Sequence, residues 1–161
     1  MVEGGWVSLR VKHDQLRNQH GRFGMDQTNE LNYVPVRRRP RDEILSSLSS
    51  GTAQEIRDAL ISAAYWDDDW RWAQRQLVNF ADHDDELVLW SVIAGLGFIA
   101  AFHGEIDEET AVPILNRLKD RPSLAAEVEE TLAEIDHFVT RRKRGEDIDL
   151  GERLPEDWRP S

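Results

Sequence analysis

The sequence has 161 residues, enough for one domain, and 40% of them are hydrophobic, slightly below the share in typical globular proteins. It carries 31 acidic and 20 basic residues, a net charge of −11, which favours basic partners over nucleic acid and anionic membranes. It has no cysteine, which excludes disulfides, thiolate metal sites and cysteine nucleophiles. With no signal-peptide pattern at the start, this predicts a cytoplasmic protein.

Residues 1–39 are predicted to form an irregular N-terminal arm, because glycines and asparagines interrupt any long pattern. Met25 is an alternative start of the chain. The arm carries 7 Lys/Arg and 4 Asp/Glu, a net of +3, whereas residues 40–140 carry 7 and 21, a net of −14. An acidic body is therefore expected to follow a basic arm.

Residues 40–142 are predicted to form a single helical domain, and residues 143–161 a polar C-terminal tail. Apolar residues recur at spacings of three and four, and polar turns divide the pattern into six helices. The predicted helices are 42–48, 52–66, 70–80, 87–102, 107–119 and 124–142. Short turns between six helices indicate an all-α antiparallel array.

Two kinds of local signal support these helices. Thr52 and Glu55 have the spacing of a capping box, in which the hydroxyl and the carboxylate bind unpaired backbone amides. Apolar stripes predict that Ile44, Leu45 and Leu48 share one face of the first helix. The predicted core includes Leu60, Leu77, Leu96, Ile99, Leu115 and Leu132.

The stretch 87–102 holds 16 residues without a charge, whereas a membrane-spanning helix needs about 20. Its flanks are acidic, unlike the Lys/Arg-rich flanks of cytoplasmic loops. A helix that is apolar all round in a soluble protein is surrounded by other helices. We therefore expect a buried central helix and no membrane span. Gly95 and Gly97 within it are expected to allow close helix packing.

The segment 84–100, DDELVLWSVIAGLGFIA, resembles the second helix of a HEAT repeat, with its acidic turn, small inner residues and Leu-Gly pair. Pro113 resembles the proline of the kinked first helix. The resemblance covers residues 52–140, and the 37 residues between the helix starts at 70 and 107 suit a two-helix repeat. It implies a short α-solenoid. The chain departs at Leu89, where the family usually has an arginine that bonds a neighbouring turn.

The segment Trp70-Arg71-Trp72 after an acidic turn is similar to a segment of short bacterial HEAT-like proteins. Small acidic helical proteins of this kind resemble bacterial immunity proteins, which neutralise a cognate toxin domain. This resemblance implies binding to another protein without catalysis.

The partner-binding residues are predicted to be Asp67, Asp68, Asp69, Trp70, Arg71 and Trp72. The alternative is an ordinary N-cap followed by core tryptophans. Trp70 and Trp72, however, are two positions apart and cannot both face inward on a helix. Trp and Arg are enriched at interaction hot spots, so an exposed aromatic here favours a binding patch. The acidic runs at 82–86 and 127–130 are the next candidates.

No catalytic residue, metal site or cofactor is predicted, because the sequence lacks nucleophile-elbow, phosphate-loop, zinc-protease and dinucleotide motifs. The antiparallel order brings His103, Glu105 and Asp107 to the same end of the array as Asp67. That cluster is open to a metal or acid/base role, although capping and solvated charge are the simpler interpretation.

The basic runs 37–39 and 141–144 suit nucleic-acid binding, or docking on the acidic body, and the strong negative charge favours docking. The leading hypothesis is a protein-binding module for a basic partner, with a toxin domain as the candidate. The alternatives are a HEAT-like adaptor or regulatory scaffold and, third, an enzyme resembling the bilin lyases. The oligomeric state stays open.

Overall fold

The structure is a computed structural model that describes residues 35–157. Within that range all regular secondary structure is helical and there is no strand, which confirms the predicted all-α array. The helices are α1 Arg41–Ser50, α2 Ala53–Trp66, α3 Trp70–Val78, α4 Glu86–His103, α5 Glu108–Leu118 and α6 Ala125–Ile135. After α6 the chain continues through a π-helical turn, Asp136–Thr140, into a last turn, Arg141–Lys143.

Helix boundaries follow the predicted capping residues. The capping box is complete, since the Glu55 backbone N–H donates to Thr52 Oγ1 (3.2 Å) and the Thr52 N–H donates to Glu55 Oε1 (2.8 Å). Asp69 accepts hydrogen bonds from two backbone amides at the start of α3. Gly104 ends α4 with φ at 65°, in the left-handed region that favours glycine. The helix α3 ends two residues earlier than predicted because the chain turns there with i→i+3 bonds.

The helices form two layers. Helices α2, α4 and α6 lie side by side with α4 in the middle, while α1, α3 and α5 pack against α2, α4 and α6 respectively. Contacts between helix ends set the directions: Arg41 at the start of α1 reaches Asp67 at the end of α2, and Lys143 beyond α6 reaches Glu108 at the start of α5. The order is up and down, while the HEAT-repeat assignment stays a prediction.

The central helix α4 carries most of the core, and its burial confirms the predicted central helix. Leu96 and Ile99 are fully buried, as are the predicted core residues Leu60, Leu77 and Leu115. Among the described residues, α4 is the one helix long and apolar enough to cross a membrane by length and composition, and 72% of it is buried inside the protein. It is enclosed by neighbouring helices on most sides.

Two apolar positions that were predicted to face inward are more exposed than expected. Leu45 is 47% exposed, because α1 packs mainly on α2 and covers only the line through Ile44 and Leu48. Leu132 is only partly buried. The fully buried positions beside it are Thr131 and Glu134, whose side chains lie against Gly97 of α4. Gly97, which has no side chain, leaves room for these two polar side chains, while Val128 and Ile135 of α6 are buried as well.

Extended segments at both ends pack on α2 and α4. Trp66 donates its Nε1–H to the carbonyl of Val36 at 2.8 Å. In the C-terminal segment Leu154 is buried, and its backbone N–H donates to the hydroxyl of Tyr65 at 2.7 Å. Gly151 donates to the carbonyl of Ala101 at 2.8 Å. The tail therefore wraps across the helices up to residue 157. The division into arm, domain and tail stays a prediction, and residues 1–34 lie outside the described residues.

Candidate protein-binding surface

The three predicted acidic residues of the α2–α3 turn have different roles. Asp67 binds the Arg41 guanidinium with both oxygens, at 2.8 and 2.9 Å, and its side chain is only 15% exposed. Asp69 caps α3 through the backbone N–H groups of Arg71 and Trp72. Asp68 is exposed. Of the three, Asp68 is the carboxylate that neither a cap nor an ion pair occupies.

The same end of the array holds a partly buried electrostatic cluster around His103. Burial lowers the pKa of His103 and the charge of Arg153 lowers it further, while Asp68 opposes both. For Asp67, burial is the largest single influence and acts to raise the pKa, but the Arg41 hydrogen bond, the Asp69 backbone hydrogen bond and the charge of Arg41 together outweigh it, so the pKa falls below its usual value. In the folded protein His103 is thus biased to the neutral form and Asp67 to the charged form.

This cluster does not assemble a metal site. Within residues 35–157 no group of three or more His, Asp or Glu side chains is placed to hold a metal ion. The Asp67 carboxylate is held by Arg41, and the Arg153 guanidinium lies 3.4 Å from His103 Nε2. Of the groups predicted to converge at this end, His103 interacts with Asp67, Asp68 and Glu105, whereas Asp107 bonds Gln74 and Thr110.

The two tryptophans of the predicted site diverge. Trp72 lies beneath the Arg41 guanidinium, whose carbon is 4.2 Å from the centre of the Trp72 ring. Trp70 lies beneath its own neighbour Arg71, at 4.4 Å, and lines a groove between α3 and α5. Both rings are partly buried against the core. The six predicted residues therefore belong to two surfaces, one beside α1 and one beside α5.

The groove beside Trp70 has a volume of about 480 Å³. A buried glutamine ties its two walls together: Gln74 Nε2 donates to the carbonyl of Asp107, and the Asp107 N–H donates to Gln74 Oε1, both at 3.0 Å. Because these bonds join α3 to the start of α5, the groove is a firm feature of the fold. It is lined by Trp70, Arg71, Gln74, Arg75, Val78, Asp107 and Thr110.

Sequence reasoning found Trp70 and Arg71 but missed the rest of this groove. The available signal was the spacing along α3, where Trp70, Gln74 and Val78 follow one another every four residues. Residues of α5 join them only through tertiary packing, and no local pattern in α5 indicates that.

The basic runs dock on the acidic body within the described range, as their setting predicted. Arg37 and Arg39 both reach Glu43. Arg141 pairs with Glu146, and Lys143 pairs with Glu108. These cations are largely neutralised by the protein's own carboxylates.

The fold and the groove together define a rigid helical array with a surface suited to a protein partner. No protein-family profile matches the chain, and no curated protein matches it. The chain is similar to one in the crystal structure of a CDI complex from Cupriavidus taiwanensis, with 28% sequence identity and a TM-score of 0.60. The alignment covers 66% of this chain and 96% of the other. The similarity therefore extends over almost the whole of a chain found in a protein complex.

Proposed function

We propose that the protein is an immunity protein that binds a toxin domain and neutralises it without catalysis. The observation that carries the proposal is the similarity to a chain of a CDI complex, the name for contact-dependent inhibition by a toxin with its immunity protein. An immunity protein works by occupying the surface of its toxin, so it needs a rigid scaffold with complementary charge and aromatic anchors.

The charge of the chain supports the immunity side of such a pair. Across residues 35–157 there are 27 Asp/Glu and 15 Lys/Arg, and several carboxylates, Asp68 and Glu105 among them, are exposed. An excess of surface carboxylates raises the association rate with a basic partner, and this acceleration weakens as the salt concentration rises. We therefore propose a basic toxin domain as the partner and the cytoplasm as the place of action.

A HEAT-like adaptor or regulatory scaffold is the second candidate. It is favoured by the two-layer order of the helices, because stacked helix pairs provide extended binding surfaces in solenoid proteins. An adaptor and an immunity protein differ in what their partner does when it is alone. Only the immunity protein restores growth to a cell in which its partner is toxic.

The test uses the product of the gene directly upstream, in the source genome, of the gene for this chain. Its C-terminal domain is expressed alone and together with this protein, and cell growth is measured. We expect growth arrest alone, rescue on co-expression, and a stable purified complex. Growth without arrest, or arrest without rescue, refutes the proposal. Affinity capture from the source cells with mass spectrometry then tests the adaptor alternative.

Surface plasmon resonance on that complex tests whether the acidic α2–α3 turn steers association. Asp68→Lys should mainly lower the association rate, because Asp68 is exposed and carries steering charge. Asp67→Lys is unsuitable, since it breaks the ion pair with Arg41 and perturbs the fold. If Asp68→Lys and the wild type associate at equal rates, the acidic runs at 82–86 or 127–130 become the candidates for steering the partner.

A further inference from the structure

Most basic side chains in the described part of the chain already have an acidic partner. Ten of the fifteen Lys and Arg side chains at positions 35–157 have a carboxylate within 4.0 Å. Arg71 and Arg75 do not, and within that range neither guanidinium makes a hydrogen bond. Both are exposed and lie one helical turn apart on α3. Arg71 packs on the Trp70 ring at 4.4 Å, but in a chain of charge −11 it is unusual that two arginines one turn apart both lack a carboxylate partner within the described range.

Both arginines line the groove of about 480 Å³ between α3 and α5. Its α3 wall is apolar at Trp70 and Val78, which are only partly buried. On the α5 wall the Asp107 carboxylate accepts a hydrogen bond from the hydroxyl of Thr110 at 2.7 Å. The two arginines lie on α3, the same helix that contributes Trp70 and Val78 to the groove.

We propose that this groove holds an extended segment of the partner protein that carries a carboxylate next to an aliphatic side chain. The carboxylate binds between Arg71 and Arg75, whose i,i+4 spacing places two forked donors within reach of one acid. The aliphatic side chain packs on Trp70 and Val78. The inference rests on the proposed function in taking the occupant from a partner protein.

This anchor is compatible with a partner that is basic as a whole. Attraction during encounter depends on the summed surface charge, and salt screens it beyond about 8 Å at physiological ionic strength. A desolvated contact depends on the local groups instead, and arginine stacked on tryptophan is characteristic of interface hot spots. The acidic body therefore accelerates association with the basic partner, and the arginines of the groove bind one acidic segment of that partner.

The first experiment probes the groove with defined peptides. A capped hexapeptide with two Glu-Leu pairs is titrated into the ¹⁵N-labelled protein and compared with the same peptide carrying Gln for Glu. We expect saturable shifts of the Trp70 indole resonance, assigned with Trp70→Phe, and at least tenfold weaker binding of the Gln peptide. If neither peptide shifts that resonance, or both bind equally, the proposal is overturned.

Two double variants with the same change in net charge test whether the groove arginines bind the peptide. Arg71→Gln/Arg75→Gln removes the groove arginines, whereas Arg121→Gln/Arg144→Gln removes two exposed cations elsewhere. Glutamine keeps helix propensity close to that of arginine, and circular dichroism checks the fold. We expect the first pair to lose peptide binding at least tenfold and the second to stay within twofold of the wild type. Arg75→Glu, tested alone, gives the same answer if the first pair fails to fold.

The second experiment repeats the variants with the toxin domain of the growth assay. We expect the groove pair to weaken the complex at least tenfold and Arg71→Lys/Arg75→Lys to restore part of the loss. If the toxin domain binds every variant equally, the groove proposal is overturned while the proposed function stands. If the toxin domain does not bind at all but the Glu peptide does, the groove stands and the proposed function is refuted.

Discussion

Replacing Gly97 by alanine tests the packing of α4 against α6. Gly97 lies in the middle of α4, where local propensity predicts that Gly→Ala stabilises a helix by about 0.8–1.0 kcal/mol. In the folded protein, however, an added methyl would overlap a carboxylate oxygen of Glu134 and come within 3.2 Å of its Cδ and 3.4 Å of Thr131 Oγ1. Tertiary packing therefore opposes the local preference.

The balance can be worked from the surroundings. Glu134 is 2% exposed, so its carboxyl cannot swing into water, and α6 must shift to admit the methyl. Overpacking costs about 1–3 kcal/mol, and displacing a buried polar group costs about 1–3 kcal/mol more. After subtraction of the helix-propensity gain, we expect Gly97→Ala to lower the free energy of unfolding by about 1–5 kcal/mol.

Urea denaturation followed by circular dichroism measures this loss. A double-mutant cycle with Glu134→Ala should show a favourable coupling of about 1–3 kcal/mol, because the shortened side chain leaves room for the methyl. If Gly97→Ala is as stable as the wild type or more so, α6 does not approach α4 at this glycine and the arrangement of the two helices described above is wrong.

Three further predictions concern the candidate surface. Trp70→Ala should raise the dissociation rate of the toxin complex about 30-fold, the equivalent of a 2 kcal/mol hot spot, whereas Trp72→Ala, outside the groove, should change the rate less than threefold; equal effects would place the anchor elsewhere. Gln74→Leu should lower the free energy of unfolding by about 1–3 kcal/mol in thermal denaturation, because it leaves the Asp107 backbone groups without their buried partner; an unchanged melting curve would contradict the tie between α3 and α5. Burial holds the pKa of His103 below its usual value of about 6.5, so the contribution of neutral His103 to the free energy of unfolding should be fully present above that pH and be lost as the pH drops towards the folded-state pKa. The variant His103→Gln should lack this pH dependence, and identical pH profiles for both proteins would show that His103 does not titrate as expected.

The sequence was informative where local chemistry sets the structure. The capping box at Thr52 and the left-handed glycine at Gly104 needed no tertiary information, because caps satisfy backbone groups within a few residues. The uncharged stretch 87–102 likewise predicted a buried helix, since no other location in a soluble fold hides its surface. These signals were sufficient for six helices and for the position of the central one.

The sequence was less informative where a neighbouring helix decides the outcome. Periodicity predicted Leu132 as a core residue, but it is only partly buried, whereas Thr131 and Glu134 beside it are fully buried next to Gly97 of α4. The same limitation affected the candidate site. Six consecutive residues formed one patch in the sequence, and the structure divides them, because Arg41 of α1 occupies Asp67 and covers Trp72 while Trp70 faces α5.

The all-α class, the order of the helices and the acidic character were determined by the sequence alone, because they depend on residue type, spacing and local capping. Which carboxylates are neutralised, and which arginines are not, was decided only by the tertiary structure. Ion pairs such as Arg41–Asp67 join residues 26 positions apart, and the groove joins two helices separated by the whole of α4. The sequence gives the net charge, but only the folded structure decides which charged side chains stay available to bind a partner.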